Sequence, residues 1–347
     1  MDTPEFQLDA MLRAHLIDTA LQKLNDCYIF PEVAQAMEDA IRRRMSNGEY
    51  DTITTGPTFA DTLTTHLRAV SHDKHLRVVF SPAPLPLRTT FEPTPEERQD
   101  FHAWGVLHNF GFASVQRLPG NIGYLDLHAF FAADAPGAAE TAVAAMNFLA
   151  HLRPLIIDLR HNGGGDPRMV ALITSYLVPG SVHLNSFYWR EGDRLEQFWT
   201  LPYVPGPRDG EKPVYVLTSG ETFSGAEEFT YNLQHMQRAT IVGEPTGGGA
   251  HPGGSFPLHP HFGLWIPSGR PINPITGTNW EGTGVVPDIA VPADTALKTA
   301  QMLALKQVLD TLGDDPRRPQ RDLADEVRGA LKDLEGGTGS DAQAPAA

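Results

Sequence analysis

One cysteine, Cys27, in a chain of 347 residues leaves no internal disulfide and no multi-cysteine zinc cluster. Basic residues are also scarce, with 27 Lys and Arg against 42 Asp and Glu and a net charge of −15. A phosphate-backbone binder needs a basic face, so no nucleic-acid partner is expected, and acidic partners would be repelled. No apolar run approaches the roughly 20 residues that cross a bilayer, and Met1–Glu5 carries no basic segment leading into an apolar one. These absences predict a protein without a membrane partner, in a reducing, cytoplasmic setting. What remains is ordinary globular material, 41% hydrophobic and 20% charged, at a length that suits two or three domains.

The first third predicts helices. Leu8, Met11, Leu12, Leu16, Leu21 and Leu24 recur at helical spacing, Pro31 suits the first turn of a helix over 31–45, and Leu63 and Leu67 mark a third over 59–70. Residues 75–80 read as a strand, and the proline-rich stretch 81–95 as a boundary. Strands and helices then alternate. Apolar runs at 121–128, 154–159, 213–218 and 239–242 are separated by helical patterns at 138–152, 168–177 and 224–236, with further strand character at 182–189. Such alternation predicts an α/β domain around a parallel sheet. A very glycine-rich loop covers 243–255, helix returns over 295–334, and the Gly/Ser/Ala/Pro tail is expected to be disordered. The expected division is 1–90 helical, 91–292 core, 293–335 C-terminal helices and 336–347 tail.

Four segments carry candidate chemistry. Ser224 follows a buried strand and opens a helix, where N–H groups favour developing negative charge. The same spacing fits a plain N-cap with Glu227 completing a capping box. The run Arg160-His161-Asn162-Gly163-Gly164-Gly165 brings backbone close to a ligand or simply makes a tight turn, and it lacks Walker spacing for phosphate. His75, after His72-Asp73-Lys74, fits a general base or a solvated surface histidine. The His/Asp spacing there matches no metal motif, so no metal is expected. Glu281 and Asp288, within Trp280–Asp288, fit acceptors that stabilise a turn.

Taken in order, Asp73-Lys74-His75-Leu76, Asn121-Ile122-Gly123-Tyr124-Leu125, Asp158-Leu159-Arg160 with its Asn-Gly-Gly-Gly, Thr218-Ser219 through Thr222-Phe223-Ser224-Gly225-Ala226-Glu227, Gly243-Glu244-Pro245-Thr246-Gly247-Gly248 and Gly284-Val285-Val286-Pro287-Asp288 form a pattern. It resembles the tail-specific, or C-terminal processing, serine peptidases, in the branch of the interphotoreceptor retinoid-binding protein repeats. The resemblance runs from about residue 16 to 291. It implies a helical N-terminal subdomain followed by a ClpP/crotonase-like ββα-spiral core. It makes Ser224 the nucleophile and assigns the oxyanion hole to the amide of Gly225 and one from Gly163-Gly164.

Many family members use a lysine base after the Gly-Glu-x-Thr-x-Gly stretch, but no lysine lies between Lys212 and Lys298. The tricorn-like branch instead implies His75 as base, oriented by Glu281. Lys74 replaces the serine that links the two in tricorn, leaving Asp73 or a direct contact to orient the ring. His251, in the segment where the lysine is missing, is the secondary candidate base. The stretch 81–119 is too short for the PDZ domain common in this family. The resemblance therefore implies a serine peptidase acting on peptides or unfolded-protein C-termini, without cofactor or metal, and with homo-oligomeric assembly expected. Its alternative is a non-catalytic carrier of retinoid- or lipid-like ligands, which would have no physical need for Ser224, His75 and the oxyanion pair together.

Overall fold

The computed structural model describes residues 6–85, 94–312 and 317–336. The tail expected to be disordered lies, after Gly336, outside the described residues, as does 86–93 of the proline-rich stretch. The chain divides into two compact units.

The first unit comprises Met1–Arg98, Asn185–Gln197 and Gly248–Gly282. Its helices are Ala10–Cys27, Pro31–Ser46 and Gly56–Ser71. Asp9 caps the first by accepting the Leu12 N–H at 2.8 Å, and proline opens the second in its first turn. Leu16, Leu24, Met37, Ile41, Phe59 and Leu67 are buried together with Phe262, Leu264 and Ile266. Those last three belong to the central strand of an antiparallel sheet, Phe262–Pro267, flanked by Arg77–Phe80 and Gly253–His259. A second small sheet places His183–Trp189 between Gly269–Ile272 and Arg194–Trp199. The third helix ends at His72, whose left-handed backbone (φ 57°) turns the chain sharply before Asp73.

The second unit comprises Gln99–Leu184, Phe198–Gly247 and Thr283–Ala347. Its six-stranded sheet runs in the order Ile289–Ala290, Thr240–Gly243, Val214–Thr218, Leu155–Asp158, Ile122–Leu127, Phe112–Leu118. All neighbours are parallel except the last pair. Side chains alternate across the pleat. Leu155, Ile157, Val214 and Val216 pack with Met146, Met169, Ile173 and Phe229 from the helices Ala138–Phe148, Pro167–Leu177 and Gly225–His235. Ile156, Tyr215, Leu217 and Val242 face the other way, toward Ala296, Ala300 and Ala304 of the helix Ala293–Leu312 and Val327 of Arg318–Glu335. Burial on both faces explains why these strands read as unbroken apolar runs. Arg160 braces one end of the sheet, bonding the buried Asp158 carboxylate and the Ala293 carbonyl that opens the C-terminal helix.

Candidate active site

In the second unit, the strand Val214–Thr218 ends in a turn clamped to the neighbouring strand's exit. Thr222 Oγ1 donates to the Leu159 carbonyl at 2.8 Å, and the Phe223 N–H donates to Asn162 O at 3.0 Å. Ser224 then adopts φ 53°, ψ −120°. An ordinary N-cap has extended backbone, and a non-glycine residue here is strained by ~1–3 kcal/mol and persists only where its surroundings hold it. They do. The Ser224 N–H donates at 2.8 Å to Oε2 of Glu227, whose side chain is fully buried. Glu227 Oε1 accepts from Thr246 Oγ1 at 2.6 Å, and Thr246 Oγ1 accepts the Val285 N–H at 2.7 Å. The expected capping box is therefore present, and its Glu227 half holds a strained residue instead of merely finishing a helix.

The glycine run abuts this turn. Gly164 has φ 106°, and a Cβ there would stand 2.7 Å from the Gly225 nitrogen and 2.8 Å from Ser224 Cβ. Its own N–H donates to Asn162 Oδ1 at 2.8 Å, while Asn162 Nδ2 donates to the Leu127 carbonyl at 2.8 Å. This corrects one expectation. The Gly164 amide is consumed by an Asx turn, so Gly164 serves as a close-approach glycine and cannot also point its N–H at an oxyanion. Gly163, where a Cβ would meet nothing within 4 Å, borders open space.

In the first unit, a buried acid–imidazole cluster gathers residues far apart in sequence. Asp73, 1% exposed, accepts the His75 N–H on Oδ1 at 3.0 Å. On Oδ2 it accepts from His251 Nδ1 at 2.9 Å and from the Tyr28 hydroxyl at 3.3 Å. A carboxylate at Nδ1 sets the tautomer with the proton on Nδ1 and the lone pair on Nε2. Glu281 Oε2 accepts the backbone N–H groups of Ala250 and His251, and lies 3.5 Å from His251 Nδ1. Trp280 Nε1 donates to Gly249 O at 2.9 Å, tying down the same loop. The Phe30 ring meets the imidazole edge-on, with centroids 5.4 Å apart.

Glu281, expected to orient His75, lies 3.5 Å from His251 Nδ1, with Asp73 nearer still at 2.9 Å. The reason is tertiary. The left-handed cap at His72 delivers the Asp73 carboxylate inward, and the backbone of 250–251 drapes over Glu281. Burial, offset in part by Asp73 and reinforced by the nearby His251, pushes the His75 imidazole down to about 4. That makes it a weak proton acceptor at neutral pH. Burial and the Asp73 charge raise the Glu281 carboxyl above its usual range, and burial likewise raises the Tyr28 phenol. Asp73, His251 and Glu281 offer ligand atoms within 4.8 Å of one another.

Sequence reasoning had no signal for Tyr28 and passed over Asn162, although an Asn preceding three glycines is itself an Asx-turn signature. Lys212 serves structure: its ammonium caps the carbonyls of Leu149, Ala150 and Leu152.

Residues 121–291 match peptidase family S41, and residues 10–101 match the N-terminal domain of peptidase S41 in eukaryotic IRBP. A carboxy-terminal-processing protease of Bartonella bacilliformis is 27% identical over 179 residues, covering 50% of this chain and 40% of that protein. Among solved structures, a protein from Parabacteroides merdae superposes with TM-score 0.60 at 19% identity, covering 86% of this chain and 96% of the other. The photosystem II D1 C-terminal processing protease gives TM-score 0.51 at 15% identity, over 82% and 94%. The fold is accordingly the α/β, ClpP/crotonase-like core with a helical N-terminal part that these peptidases share. Since the two matched stretches fall on the sheet with its serine turn and on the helices that lead to Asp73, the chain belongs to peptidase family S41.

Proposed function

We propose that this chain is a serine peptidase with Ser224 as nucleophile and His251, oriented by Asp73, as general base. Ser224 Oγ attacks the scissile carbonyl as its proton passes to His251 Nε2. The imidazolium, stabilised by Asp73, then gives that proton to the leaving amine, and water releases the acyl group by the same route. The Gly225 and Gly163 amides are assigned to the oxyanion. Glu281 positions the 250–251 backbone, and His75 stays a neutral neighbour. Substrates are peptides or unfolded-protein C-termini, and a cytoplasmic site of action, resting on the lone cysteine, belongs to the same proposal.

The observation that carries this reading is the Ser224 backbone, strained and held by a buried glutamate, because a helix cap alone has no need of it. A fluorophosphonate probe followed by mass mapping tests it. Label on Ser224, lost in Ser224→Ala and strongly reduced in His251→Ala, is expected. Label elsewhere, or none, sinks the assignment, and label that survives in His251→Ala but not in His75→Ala returns the base role to His75.

A further inference from the structure

Arg270 lies on the exposed surface of the strand Gly269–Ile272, directly opposite Tyr188 in the antiparallel register. Its guanidinium stacks between two rings, 5.6 Å from the centroid of Tyr188 and 5.9 Å from that of Phe30. Some arginines of the same unit are matched to carboxylates, as in Arg42 with Asp18, Arg44 with Glu49 and Arg194 with Glu196, and others, such as Arg190, to backbone carbonyls. Arg270 has no such partner among the described residues. What sets it apart is that two rings hold an exposed guanidinium that no internal carboxylate neutralises.

Its position is tied to the proposed base. Pro252 O, next to His251, accepts the N–H groups of both Ser268 and Gly269 at 2.9 and 3.0 Å. The Phe30 segment is pinned as well. Ile29 N–H donates to Pro267 O, and the Arg190 guanidinium donates to the carbonyls of Tyr28 and Asn25. Because Phe30 also packs on His251 at 5.4 Å, the guanidinium lies within about 11 Å of the imidazole, or about three residues of extended chain.

We infer that Arg270 is a specificity residue that binds a carboxylate of the substrate within about three residues of the cleaved bond. The inference rests on the serine-peptidase reading for what is cleaved, but the binding step stands apart from it. Stacking holds the planar fork in place before the ligand arrives, so a bidentate pair forms with little loss of side-chain freedom. The carboxylate comes either from the peptide's C-terminus or from an Asp or Glu side chain, and the two sources are separable.

The test uses the full-length Ser224→Ala chain, which binds without turnover, and four dye-labelled peptides read by fluorescence anisotropy. One has a free C-terminus, the second is its amide, and the other two are amides differing only by Glu or Gln near the end. Tenfold or tighter binding of the free acid over its amide supports a terminal carboxylate. The same preference for Glu over Gln supports a side-chain one. In either case Arg270→Gln should bring the ratio close to one, Arg270→Lys should leave part of it, and salt should weaken it. Equal binding of all four peptides, or a preference that survives in Arg270→Gln with an unchanged melting temperature, overturns the inference. Failure of the peptidase reading is read separately, as absence of fluorophosphonate label on Ser224 in the unaltered chain.

Discussion

Around Ser224 the local geometry is carried by backbone: a strained residue, amides at a helix start, and glycines that let one turn press against another. Around His251 it is carried by side chains, with Asp73 and Glu281 converging from separate stretches on one imidazole and Tyr28 bonded to the Asp73 carboxylate. The first arrangement depends on a few contiguous residues in each of two turns. The second depends on the packing of helices and sheets that bring positions 28, 73, 251 and 281 together. Backbone geometry of the first kind tolerates little change at Gly164, Gly165 or Gly225, because one added Cβ collides with main chain that cannot yield. Side-chain geometry of the second kind is graded, since each partner can be removed while the others still hold the ring.

The largest expected effect comes from removing the proposed nucleophile. Ser224→Ala should cut turnover of a fluorogenic peptide by about 10⁴-fold or more while the melting temperature holds, because the Glu227 clamp acts on backbone. Retained turnover would show that the strained turn is purely structural. Next, His251→Ala should lose about 10³-fold in kcat and His75→Gln no more than about tenfold, so a reversed order would break the division drawn between the two histidines.

Gly164→Ala sharpens the contrast in the serine turn. Its Cβ would sit 2.7 Å from the Gly225 nitrogen, so kcat should fall about 10²-fold with KM much less affected. Unchanged kcat would remove Gly225 from the oxyanion role.

The smallest effect concerns stability against acid. The folded His75 is held neutral down to about 4, whereas the unfolded side chain titrates near ~6.5. Between those values the unfolded state binds more protons, so stability rises with pH and up to about 3 kcal/mol is lost as pH falls through the window. Urea melts at stepped pH should show a shallower acid limb for His75→Gln. Equal slopes would mean that the histidine is not held neutral by the fold.

Much of the second unit was legible in advance because its information is local. The runs at Leu155–Asp158 and Val214–Thr218 announce strands buried on both faces, and Ser224 with Glu227 announces a helix start. That Glu281 would lie against His251 was not legible, because a linear motif gives order along the chain and not which of two histidines a carboxylate will meet. Asn162 was passed over for a different reason: the glycines drew attention to the backbone, while the side chain before them took one of its amides.

From the sequence alone follow the alternating elements, the helix that begins after Ser224, the glycine turn, and the absence of any lysine between 212 and 298 that could serve as base. Each is a matter of neighbouring residues and their periodicity. Only the tertiary structure decided that Asp73 and Glu281 serve His251, that Tyr28 shares the Asp73 oxygen, and that Arg270 stacks on Phe30. Those contacts join residues dozens to hundreds of positions apart, and they form only when burial of the hydrophobic core brings those segments together.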